Sequence, residues 1–150
     1  MEKDIYYMQE ALKEAQLAYD KNEVPIGAVI VFNDEIIARA HNLREAKQTT
    51  ASHAEMLAID QACKALNSWR LEACTLYVTV EPCPMCAGTA IQSRLKRIVY
   101  GAEDYKNGAH VSSIELFKGN FNHQVEVEGG LHAVESEALL KKFFKTLRNK

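Results

Sequence analysis

Only three prolines and seven glycines punctuate the 150 residues, and two of the prolines, Pro82 and Pro84, fall within one short motif. No linker, internal repeat or low-complexity tract interrupts the chain, which suits one domain over residues 1–150. No apolar run approaches the ~20 residues of a membrane span, so no membrane partner is expected. The N-terminal Met-Glu-Lys-Asp has no apolar signal core, and a cytoplasmic location is expected. The four cysteines then read as thiols or metal ligands rather than disulfides. A chain this long buries roughly 70% of its unfolded surface and needs neither disulfides nor a metal merely to fold.

Charge of one sign is also scarce. The net charge is −2, which does not suggest a polyanion partner for the whole chain. The balance is uneven, however. Residues 141–150 hold five basic residues and no acid, whereas the first 140 hold 13 basic and 20 acidic residues. A polyanion is therefore permitted at the C-terminal end.

What is present is a regular alternation of helix and strand signals. Residues 4–20 carry Ile5, Met8, Leu12, Ala15 and Tyr19 at helical spacing, with Asp4 expected as N-cap and Asn22 as stop. The apolar run 26–32 reads as a buried strand, and Asn33-Asp34 turns the chain into a second strand over 36–40. A helix over 54–66, a strand over 75–80, a helix over about 84–93 and a strand over 97–100 follow. The stretch 101–122 is long, with a helical turn expected near 114–117. A last strand at Val125–Val127 precedes a helix over 133–147. This order predicts an α/β fold, a three-layer α/β/α sandwich on a five-stranded mixed and mostly parallel sheet. The long connection from Tyr100 to Val125 suits a parallel crossover better than a hairpin.

Two motifs carry chemistry. They are His53-Ala54-Glu55 and Glu81-Pro82-Cys83-Pro84-Met85-Cys86, each at a strand-to-helix junction. The Cys-x-x-Cys spacing lets two thiolates reach one zinc at ~2.3 Å, and His53 can add a third ligand. Cys74 stands roughly 30 Å from Cys83 if the strand between them is extended. Cys63 stands roughly 15 Å along the helix from His53. Both read as small buried apolar residues. The simplest site is one Zn²⁺ per chain on His53, Cys83 and Cys86, with an open fourth position, although a distant histidine is not excluded. Two thiolates neutralise the dication and acidify its water less than three imidazoles do, so a general base is needed. Glu55 can serve if His53 lies at the irregular helix start. The alternatives are a surface glutamate beside a core histidine, or a redox dithiol.

His-x-Glu with Pro-Cys-x-x-Cys is the signature of zinc nucleobase deaminases. The resemblance is closer than that. Glu23-Val24-Pro25-Ile26-Gly27-Ala28, Ala40-His41-Asn42, residues 52–58, Ser68-Trp69-Arg70-Leu71 and residues 76–88 resemble bacterial tRNA-specific adenosine deaminases. Val99-Tyr100-Gly101-Ala102, Phe121-Asn122-His123 and Phe143-Phe144 fit too. The resemblance implies the cytidine-deaminase-like fold, a homodimer, and hydrolytic conversion of the wobble adenosine of a tRNA anticodon loop to inosine. Zinc-bound hydroxide would attack C6, with Glu55 as the proton shuttle. By position, Asn42 would hydrogen-bond the flipped nucleotide, and the Ala54 backbone would touch the base. Val24, Pro25, Val80 and Pro82 would help wall the pocket, and Asp104 would contact the nucleic acid beside the target. Lys106, Phe143, Phe144, Lys145 and Arg148 would bind RNA.

Two departures stand out: Val111-Ser112-Ser113-Ile114 where the family commonly has Gly-Ser-Leu-Met, and Ser52 in place of alanine. Before the resemblance is used, Phe143 and Phe144 at helical spacing read as core rather than as a base-stacking platform. The basic tail reads as a solvated helix end, Asn42 as a turn residue, and Trp69 as packing. The rival functions are deamination of a free base or nucleotide of the guanine or cytidine type, and a non-catalytic zinc module that binds RNA.

Overall fold

The computed structural model describes residues 2–149. Helix α1 spans Glu2–Asp20 and buries Tyr7, Met8, Ala11, Ala15 and Ala18, joined by Glu10 and Glu14. The small residues let the helix lie close on the sheet. A Cβ at Gly27, the first residue of β1 (Gly27–Phe32), would collide with the backbone of Ala11 and Ala15. Burial of the two acids is offset by partners on β2 (Glu35–His41). The Arg39 guanidinium lies 2.6 Å from Glu10, and His41 Nδ1 lies 2.9 Å from Glu14. These pairs turn the helix, so that Ile5, Leu12 and Tyr19 are only half-buried.

Asp4 is not the expected N-cap. The helix is already formed at Glu2, and Asp4 is drawn to tertiary partners instead. Arg97 donates to its two oxygens at 2.9 and 2.7 Å, and the Tyr77 hydroxyl donates at 2.5 Å.

Asn33 and Asp34 turn the β1–β2 hairpin with φ of 51° and 63°. Both lie in the left-handed region that a two-residue hairpin turn demands. The sheet order is β2-β1-β3-β4-β5, with β3 over Thr75–Val80, β4 over Arg97–Ala102 and β5 over Glu126–Glu128. Strand β1 is antiparallel to both β2 and β3, while β3, β4 and β5 run parallel. The five-stranded mixed sheet is as expected, but two of its four pairings are antiparallel. A two-residue turn can join only antiparallel strands. The crossover from β4 to β5 is parallel, as its length predicts.

A four-residue helix, α2 (Arg44–Lys47), has no counterpart in the sequence reading. Helices α3 (Ala54–Leu66) and α4 (Pro84–Gln92) pack on one face of the sheet, over Ala28, Ile30, Leu76, Val78 and Ile98. Helix α1 and the last helix, α5 (Ala133–Arg148), cover the other, where α1 packs on Val29, Val31, Tyr77 and Val99. The expected turn near residues 114–117 is a 3-10 turn at Leu116–Lys118. No described helix is long and apolar enough to cross a membrane.

The sheet end that matters is set by register. Gly27 pairs with His41, and Val80 pairs with Ala102. The loops leaving β2, β3 and β4 and the loop entering β1 therefore meet at one edge, outside the carboxyl ends of the parallel strands, where α/β folds bind ligands.

Candidate active site

His53 and Cys83 each occupy the N-cap position of a helix, α3 and α4, with extended backbone (φ −74°, ψ 154° and φ −75°, ψ 172°). Pro84 takes the first position of α4, where its fixed φ suits the helix and its missing N–H costs nothing. Cys86 follows within the first turn. His53 Nδ1 thus lies 3.7 Å from Cys83 Sγ and 3.5 Å from Cys86 Sγ, and the three donor atoms lie within 4.8 Å of one another. Because His53 stands outside the regular helix, Glu55 can face the same cavity from the second helical position.

The electrostatics match the geometry. Burial pushes the Glu55 carboxyl up to about 7. The hydrogen bond from Cys86 pulls the Cys83 thiol down to about 4, and the same contact raises Cys86. The hydrogen bond to Cys83 raises His53. One imidazole nitrogen and two sulfurs converging at this spacing form a donor set that fits Zn²⁺. Two helix N-termini aimed at it favour thiolates. Among the described residues no other three His, Cys, Asp or Glu side chains converge in this way. Cys74 is fully buried, as expected of a small apolar residue. Cys63 is only half-buried, and its sulfur faces the Trp69 carbonyl at 3.9 Å.

A cavity of about 1090 Å³ opens over this cluster. That exceeds the ~300–1,000 Å³ of ordinary small-molecule pockets. Val24, Asn42, Ala54 and Val80 line it near the metal donors, and Asp104 and Lys106 line it from the loop after β4. Asn42 is held by its neighbours. Its Oδ1 accepts the Arg44 N–H at 3.1 Å, and its Nδ2 donates to the Val24 carbonyl at 3.4 Å.

Four expected site residues are placed elsewhere. Pro25 and Pro82 are buried behind the cavity wall rather than part of it. Phe143 is buried, its ring edge-on to Tyr19 with centroids 6.2 Å apart, so it packs α5 onto α1. Phe144, 42% exposed, is the ring on the cavity. Lys145 is exposed but off the lining stripe of α5, which is Glu137, Leu140, Lys141, Phe144, Leu147 and Arg148. Adjacent residues of a helix stand about 100° apart, so Phe143 turns toward α1 while Phe144, its ring edge-on to that of Phe143 with centroids 5.3 Å apart, reaches the cavity.

Sequence reasoning gave Lys141 only as part of the basic C-terminal end and did not assign Leu140 and Leu147, whose spacing with Phe144 was a usable signal. It also missed two buried acids that line the cavity, Glu23 and Glu81. Their signal was an acid beside an otherwise apolar strand end.

Residues 1–148 match the family model described as MafB19-like deaminase. The tRNA-specific adenosine deaminase of Bacillus subtilis (strain 168) is 56% identical over 151 residues, covering 100% of this chain and 94% of that protein. The tRNA-specific adenosine deaminase of Rickettsia felis is 46% identical, covering 94% of this chain and 100% of that one. A solved structure from a study of A-to-I editing by tRNA:A34 deaminases at the wobble position is 41% identical. It superposes with a TM-score of 0.88 over 90% of this chain and 99% of its own. Its fold is the same mixed sheet with helices on both faces. The chain belongs to the tRNA-specific adenosine deaminases.

Proposed function

We propose that this protein hydrolytically deaminates the wobble adenosine of a tRNA anticodon loop to inosine, as one zinc-dependent domain over residues 1–150 acting as a cytoplasmic homodimer. One observation carries the chemistry. His53, Cys83 and Cys86 converge beside a buried carboxyl at the floor of a cavity larger than a free base needs. These three residues would hold the zinc, which would supply the Lewis acidity that lowers the pKa of water.

The chain's own residues do the rest. Asn42 hydrogen-bonds the extruded nucleotide, and the Ala54 backbone at the start of α3 meets the base. A base in a loop costs only ~a few kcal/mol to extrude. Burial holds the Glu55 carboxyl near 7, where it can both accept and return a proton. It takes one proton of the attacking water and delivers it to N1 of the purine, then takes the remaining proton from the new C6 hydroxyl and delivers it to the amino group, which departs as ammonia as the C6 carbonyl forms. Water and adenosine thereby become inosine and ammonia. Asp104 and Lys106 on one side, and Phe144 and Arg148 on the other, grip the flanking nucleotides. The cavity they line extends from the metal donors to the basic helix.

The test is turnover of an anticodon stem-loop carrying wobble adenosine, with inosine as readout. Free adenosine, guanine and cytidine are run in parallel. Inosine from the stem-loop and none of comparable efficiency from the free compounds is expected. Efficient turnover of a free base with an inert stem-loop would move the function to the small-molecule class. Zinc and RNA binding without ammonia release would make the protein a binding module.

A further inference from the structure

The Glu81 side chain is 2% exposed and takes no part in the chemistry above. Strand β3 ends at Val80, so Glu81 opens the turn that carries Cys83. Its own N–H donates to the Ala102 carbonyl at 2.8 Å across the sheet end. Its carboxylate reaches under the loop that follows β4. Oε1 accepts the Asp104 backbone N–H at 3.1 Å and the Ser112 hydroxyl. Oε2 accepts the N–H groups of His110, Val111 and Ser112 at 2.9, 2.9 and 3.1 Å. Five donors saturate the roughly four lone-pair positions of a carboxylate. The fit is close, because a Cβ at Gly108 would run into the Glu81 carboxyl group. Asp104 then orders the loop tip, its Oδ1 accepting the Lys106 and Asn107 N–H groups at 3.3 and 3.1 Å.

We propose that Glu81 is a positioning residue that locks the Asp104–Ser112 loop onto the turn bearing Cys83, and so sets how tightly the nucleic acid is held beside its target. The inference rests on the reading of this site as an RNA deaminase. Glu81 acts through Asp104 and Lys106 and touches no reacting atom.

Glu81→Gln separates this role from general packing. The carboxamide oxygen can still serve the three amides of residues 110–112, and the Ser112 hydroxyl can reverse and accept. The Asp104 N–H, however, then faces a second donor. For that variant KM for the stem-loop should rise about tenfold, the order expected for one lost charge-assisted hydrogen bond. kcat at saturating RNA should fall far less, and zinc content should match the unsubstituted protein. The KM effect should shrink in an Asp104→Ala/Lys106→Ala background, where the groups through which Glu81 acts are gone; a packing defect would instead add.

An unchanged KM, simple additivity, or a loss of zinc and kcat with KM intact would overturn the proposal. Should Glu81→Gln fail to fold, Ser112→Ala removes one donor only. KM should then rise in the same direction by less, and no rise overturns the proposal. If the unsubstituted protein makes no inosine from the stem-loop, the functional reading falls and this inference with it. If it does, and KM of the variants is unchanged, only this inference falls.

Discussion

His53 Nδ1 and Cys83 Sγ lie 3.7 Å apart although 30 residues separate them, because each residue is the N-cap of a helix on the same face of the sheet. A metal held there sits in front of two helix N-termini, whose partial positive charge favours thiolate over thiol. The arrangement makes zinc content the first quantity to measure. One zinc per chain is expected in the purified protein. Cys83→Ser and Cys86→Ser should each lower it sharply. Cys74→Ala and Cys63→Ser should leave it intact, since neither sulfur joins the cluster. Loss of zinc on either of the latter would mean a closed, four-ligand site.

Glu55→Ala should keep zinc and fold while losing turnover. Removing a positioned proton shuttle costs ~10²–10⁴-fold in rate. Metal analysis and inosine formation on the same preparation give the answer. Turnover close to that of the unsubstituted protein would end the assignment, and loss of metal would make Glu55 a ligand.

The basic end of the chain divides by helix face. Lys141 and Arg148 border the cavity, whereas Lys142 lies over the Tyr19 ring at 5.0 Å and Lys145 lies off the stripe. Lys141→Gln/Arg148→Gln should weaken stem-loop binding and flatten its salt dependence. Each lost phosphate contact removes ~0.7–0.9 from the slope of log K against log salt. Lys142→Gln/Lys145→Gln should change the slope by much less. Equal effects from the two pairs would show that charge near the site matters and helix face does not.

The two adjacent phenylalanines should separate in the same way. Phe143→Ala removes a buried ring from the α1–α5 contact and should cost about 2–4 kcal/mol in denaturant unfolding. Phe144→Ala should leave stability within about 1 kcal/mol and raise KM for the stem-loop, because base–aromatic stacking is worth ~1–3 kcal/mol per base. A stability loss at Phe144 with KM unchanged would remove it from the RNA surface.

Acid should expose the far end of the molecule. The hydrogen bond from Arg97 holds the Asp4 carboxyl at about 2, below its ordinary 3.8. A carboxyl lowered in this way stabilises the fold above its unfolded pKa and loses that contribution as pH falls through the folded value. Reduced for screening by solvent, the contribution is on the order of 1 kcal/mol. Asp4→Asn should therefore lower the urea midpoint at neutral pH, and the gap to the unsubstituted protein should narrow below about pH 4. A gap that stays constant into acid would mean that the charge of Asp4 does not contribute.

Much of this protein was legible along the chain, because the signals were local. The apolar run of β1, the Asn33-Asp34 turn and the helix starts at His53 and Cys83 depend on a few neighbouring residues. The candidate zinc ligands and Glu55 announce themselves by local spacing, Cys83 with Cys86 in one helical turn and His53 with Glu55 at a helix start. What tertiary structure decided was anything resting on a partner distant in sequence. Asp4 reads as a helix cap until Arg97, 93 residues away, claims it. Phe143 and Phe144 are chemically identical, and only the packing of α1 against α5 decides which ring is buried. Glu81 reads as a motif's leading acid, and its five donors come from residues 104–112 once β3 and β4 lie side by side. A buried carboxylate is tolerated only where donors surround it. In this chain those donors are assembled by the sheet, and four of the five are backbone amides, whose positions no residue type records.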